Sequence, residues 1–148
     1  MKIIFVFSIT CVLALGYGCV GHTDKDAIKG MWQLTAVRFG GKEWPVPDEF
    51  RDLITEVKDA KFSTKNVNGK FPPEERGGSF SLDTATSPRS LDVVMDTGPD
   101  ANKLLKAIYK LEGDMLTVCF DPRASARPAD FVTTDQNTFI VAILKRLK

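Results

Sequence analysis

The chain has 148 residues, with 20 Lys and Arg against 19 Asp and Glu and a formal net charge of +1. That balance leaves no basic excess with which to hold nucleic acid, and the length suits one domain behind a short leader. Of the three cysteines, Cys11 falls in that leader, and the one histidine and at most two thiols that remain cannot make a disulfide framework or a zinc site at any usual ligand spacing.

The first element is "MKIIFVFSITCVLALGYGC". Lys2 precedes an apolar run from Ile3 to about Tyr17, and the small residues Gly16 and Gly18 precede Cys19, which is the layout of a bacterial export signal. No later stretch reaches the roughly 18 apolar residues of a membrane helix. "LGYGC" resembles a lipobox, with Gly18 and Cys19 matching its small residue and acceptor thiol; Gly16, where leucine is usual, and Tyr17 depart from it. The resemblance implies a signal peptide over 1–18, lipid on Cys19, and a protein held to a membrane at the cell envelope, facing the periplasm or exterior. The same small residues also fit ordinary cleavage after Gly18 or Gly21. Without Lys2 the remaining chain carries 19 basic residues (20 minus 1) against 19 acidic ones.

Residues 19–27 read as a polar tether, and 28–148 as the domain. Short apolar alternations separated by turn residues at about 8 to 15 residue spacing predict an antiparallel all-β fold. Trp32, Leu34 and Ala36 share one face of the first strand by parity, and "GGK" turns the chain near Gly40. "DEFRDLITEV" has helical spacing behind Asp48, yet "LITEVKDAKFSTK" also reads as two strands around a "KDA" turn; a strand over Leu53–Val57 is favoured, with a short helical turn before it as the fallback. Phe80 and Leu82 oppose Ser79, Ser81 and Asp83, and Leu91, Val93 and Met95 oppose Asp92 and Asp96. "LLKAIYKL" and "MLTVCFD" form a hairpin about "EGD". The final "TFIVAIL" is apolar on both parities, as in a strand covered on both sides.

"IKGMWQLTAVRFGGKEWPVP", "GSFSLDTATSPRSLDVVMDTGPD" and "LLKAIYKLEGDMLTVCFDPRASARPADF" together resemble an uncharacterised exported domain abundant in planctomycete bacteria, over about Ile28 to Arg146. That family supplies no catalytic residues. The opening also resembles a lipocalin, in which a Gly-x-Trp pair at the first strand closes one end of an eight-stranded barrel under a basic residue from after the last strand. Gly30 and Trp32 match the pair, and Lys145 or Arg146 supplies the cation.

Candidate chemistry is sparse. A nucleophilic Cys119 needs a nearby histidine or other cation, and His22 lies in the tether, so the thiol reads as apolar filling. Asp96, Asp100 and Asn102 invite calcium, but a loop begun at Asp96 meets Ala101 where glycine is needed and Ala107 where glutamate should be. Glu74 with Glu75 and Asp92 with Asp96 have no reason to share a cleft. Arg123 and Arg127 read as solvated loop charges in preference to an anion-binding rim. There is no Gly-x-Ser-x-Gly, phosphate loop or dinucleotide fingerprint, and so neither catalytic residues nor a cofactor is expected.

The expectation is thus a single antiparallel, lipocalin-like barrel of about eight strands. Two functions follow from it. Leu34, Phe80, Leu82, Leu91, Val93, Met95 and Tyr109 either line a cavity for a small apolar ligand, or pack a solid core in a structural or interaction module of the cell envelope. Interior volume separates the two, with about 300 Å³ as the dividing value.

Overall fold

A computed structural model describes residues 23–68, 75–124 and 126–148. The expected signal peptide, Cys19, His22 and Glu74 lie outside them. A helical turn α1 (Asp24–Ala27) precedes nine strands: β1 (Gly30–Phe39), β2 (Lys42–Pro45), β3 (Leu53–Lys58), β4 (Lys61–Asn66), β5 (Arg76–Asp83), β6 (Arg89–Met95), β7 (Leu104–Glu112), β8 (Met115–Phe120) and β9 (Ile140–Arg146). Each of β3 to β8 pairs antiparallel with the next, and β1 pairs with both β3 and β9. β1 and β3–β9 therefore close an eight-stranded, lipocalin-like barrel, and β2 lies outside it along the far half of β1. Closure removes the free strand edges that an open sheet of this size would expose to other chains.

Local chemistry explains the joints. The β7–β8 link is the two residues Gly113 and Asp114, with Gly113 at φ 58°, a left-handed conformation that glycine adopts at no steric cost. Both readings of the ambiguous segment are present in succession: Asp48–Phe50 is one 3-10 turn and Leu53–Lys58 is a strand.

The first strand departs from strict alternation. Its register against β9 shifts between Leu34 and Ala36, a bulge in which Thr35 is the extra residue and donates its hydroxyl to the Ile143 carbonyl. A bulge inverts the parity beyond it. Leu34 stays opposite Leu144 on the inner face, whereas Ala36 pairs with Ile143 on the outer face and Val37 takes the inward place opposite Ala142. The expectation that Ala36 shares a face with Trp32 and Leu34 is corrected accordingly.

β9 is apolar on both faces, but only its outer face is covered; the inner one looks into the barrel. Leu144 faces the lumen, while Val141 and Ile143 join Ile108 and Cys119 in a second cluster on the outside of the wall, roofed by Phe131 and Phe139. Those rings belong to the connection between β8 and β9, whose described residues run over the outer face as a strap. Arg127 fastens it, donating to the Leu91 and Ala107 carbonyls at 3.3 and 2.6 Å and to Asp92 at 2.5 Å. Arg127 is thus neither a solvated loop charge nor a free rim cation. Arg127→Ala is expected to cost about 1 to 2 kcal/mol, given charged hydrogen bonds at a partly exposed site. It should also speed proteolytic cleavage within 121–139 several-fold, which limited trypsin digestion of folded protein reads directly.

Candidate functional site

One end of the barrel is plugged. Gly30 opens β1 at φ 128°, and a side chain there would lie 2.8 Å from Arg146 Nη1. That space is taken by the arginine, whose guanidinium sits 4.2 Å from the Trp32 ring centroid. Arg146 Nη1 also donates to the Lys29 carbonyl at 2.6 Å, and Nη2 donates to the Ala27 carbonyl. Trp32 is fully buried and donates its indole N–H to the Ile28 carbonyl at 2.8 Å. The structure therefore brings Gly30, Trp32 and Arg146 together. Lys145 pairs instead with Gln33, on the opposite parity from Arg146.

The plug includes residues that the sequence assigned to a tether. Asp24 accepts from Tyr109 Oη at 2.7 Å and from Arg89 at 2.6 Å, so α1 is docked across the barrel end and residues 23–27 belong to the domain. Tyr109 is correspondingly removed from the expected cavity lining. Its ring is buried and its hydroxyl is turned to Asp24. Burial, followed by the Asp24 hydrogen bond and charge, holds that phenol protonated well above the usual tyrosine range.

Beyond the plug the barrel is hollow. A cavity of about 360 Å³ is lined by hydrocarbon from seven strands, including Phe62, Phe80, Leu91, Val93, Met95 and Leu144. Several of these point into a closed barrel yet remain only half-buried, Phe80, Val93 and Leu144 among them, so solvent reaches the lumen. Of the residues expected to line it, Phe80, Leu91, Val93 and Met95 do so. Leu82 lies beside α1 in a separate cleft that also touches Phe80, and Leu34 is half-buried next to the β1 bulge, outside the lining. Sequence reasoning missed Phe62, Leu105, Val118 and Phe120 as lining residues, although their alternation with polar neighbours in "KFSTK" and on the β7–β8 hairpin carried the signal. It also missed Thr55 and Thr64, the two polar members, whose hydroxyls hydrogen-bond each other at 2.8 Å.

The remaining candidates do not assemble. Among the described residues, no three of His, Cys, Asp and Glu lie together. Asp100 pairs with Lys103, and Asn102 sits in a left-handed turn with its amide on the Met95 carbonyl. Asp92 is held by Arg127.

Cys119 lies on the outer face of the wall, under the strap and fully buried. Burial, with a smaller contribution from Asp130, pushes its thiol up from 9.0 to about 11. A group whose folded value is raised binds its proton more tightly in the folded state. Its contribution to stability is complete below pH 9 and is lost between pH 9 and 11, on the order of 2 kcal/mol by the upper limit. Folded protein at pH 8 should resist iodoacetamide for hours and react within minutes in 6 M guanidinium. Urea midpoints should hold to pH 9 and fall above it. Rapid alkylation of the folded form would contradict the sealed position.

Fold and site together define a lipocalin-like barrel, plugged at one end and hollow towards the other. Set against protein-family models, curated proteins and solved structures, the chain finds no match in any of the three.

Proposed function

We propose that the chain is an exported, lipid-anchored carrier that holds a small apolar molecule in the barrel lumen. The observation that carries this reading is the lumen itself, a carbon-lined space of about 360 Å³, within the range in which proteins enclose small ligands. Apolar surface left facing water in such a space favours an apolar guest, at roughly 25 cal/mol per Å² covered. Lipid on Cys19 keeps the carrier at the envelope. Native mass spectrometry of protein isolated from its own host should find one apolar molecule retained per chain, and repeated absence would sink the carrier reading. Cys19→Ala should release the protein from membranes, a separate outcome that tests the anchor alone.

One observation favours contact with an envelope partner as a second role. Phe39 and Trp44 stack at 5.2 Å on the β1–β2 hairpin while 47% and 44% exposed, more apolar ring surface than a solvated hairpin needs. Crosslinking from that hairpin in whole cells, lost in a Phe39→Ser, Trp44→Ser variant that still takes up ligand, would carry it.

A further inference from the structure

We propose that Thr55 and Thr64 form the selective element of the lumen, and that the guest is a hydrocarbon body bearing one uncharged oxygen group, a hydroxyl or a carbonyl. This rests on the carrier reading above and narrows it. The two threonines stand directly opposite each other on β3 and β4, and both line the cavity. Among the described residues, every other lining side chain is hydrocarbon or, at Met95, thioether.

The pair satisfies itself only by half. One hydroxyl donates to the other across 2.8 Å, which leaves the second with a hydrogen that, among the described residues, no protein atom accepts. A hydroxyl group also has two acceptor positions, so the pair presents one spare donor and spare lone pairs to an otherwise carbon-lined space. An alcohol or carbonyl oxygen beside it completes the set. A pure hydrocarbon leaves the donor unmade, which costs free energy once the guest has expelled water. A carboxylate loses hydration there with no cation among the described lining residues. Among the described residues, the cation that the register sets opposite Thr64 is Arg76 on β5. It is exposed, and its side chain lies against Gly98 of the 96–103 loop.

The test compares three guests of one chain length, octane, 1-octanol and octanoate, by displacement of N-phenyl-1-naphthylamine from the full domain. The protein is wild type, Thr55→Val/Thr64→Val, or Thr64→Ser. Removing both hydroxyls together leaves no unpaired partner and keeps the β-branched shape, so the double variant should stay folded. Wild type should bind 1-octanol more tightly than octanoate. The double variant should weaken 1-octanol by about 2- to 10-fold and bind octane at least as tightly as wild type, since no donor is then left unmade, and Thr64→Ser, which keeps a hydroxyl, should stay within about 2-fold of wild type for both. Equal effects on octane and 1-octanol would overturn the selective role, leaving the pair as sheet stabilisation. Tighter binding of octanoate, abolished by Arg76→Gln, would overturn the uncharged class. If no guest displaces the fluorophore from wild type, or the fluorophore itself does not bind, the carrier reading fails and this assignment fails with it.

Discussion

Trp32→Ala is expected to lower stability by about 3 to 5 kcal/mol, the range for removing a fully buried aromatic ring. Three losses coincide at this position. The core under α1 loses its largest buried side chain. The Ile28 carbonyl loses the indole donor at 2.8 Å. Arg146 loses the ring beneath its guanidinium at 4.2 Å, a contact worth about 1 kcal/mol or more when desolvated. Urea denaturation at pH 7 checks the total, and two milder variants divide it. Trp32→Phe keeps a ring for Arg146 but not the N–H, and should cost about 1 to 3 kcal/mol. Arg146→Lys keeps the charge, but a single ammonium has no planar fork with which to reach the Ala27 and Lys29 carbonyls while covering the indole. A loss below about 1 kcal/mol for Trp32→Ala would show that the plug is not what holds this end closed.

Val93→Trp should abolish uptake of apolar guests, with at least about a 10-fold loss of affinity, while changing stability by less than about 1 kcal/mol. Val93 sits on β6 between its partners Phe80 and Leu105, and all three face the cavity. In a solid core the added ring system would force strain of about 1 to 3 kcal/mol. In a hollow one it occupies space that a guest would otherwise fill and buries its own apolar surface there. The same variant therefore reads both interior volume and ligand binding, through urea midpoints and fluorophore titration. A large destabilisation, or full uptake by a folded variant, would contradict a hollow lumen of this size.

Much of the barrel was legible in the sequence because it is local. "KDA", "GGK" and "EGD" mark turns by their own chemistry, and alternation in "FSL" and "LDVVM" assigns faces without reference to the rest of the chain. Short polar β2, "KEWP", carried no such alternation. The Thr35 bulge was hidden for a related reason: nothing in "QLTAV" marks an inserted residue, and the shift exists only against β9, over a hundred residues on. Asp24 looked like a tether charge because its partners, Arg89 and Tyr109, are 65 and 85 residues away. Arg127 looked solvated for the same reason, its acceptors lying on β6 and β7. The lumen was the least legible feature, since an apolar side chain facing a cavity and one packed in a core have the same composition.

The docking of α1 gives the barrel a polarity relative to any surface that holds its N-terminus. Thr23 sits at the plug, and only three residues separate it from Cys19, a span of at most about 14 Å even when fully extended. In the anchoring proposed above, the bilayer then lies against the Trp32 end, and the rim carrying Phe39 and Trp44 points into the aqueous compartment. A guest would be exchanged across that compartment, with a donor or acceptor facing the membrane from the other side, and not drawn from the lipid leaflet underneath.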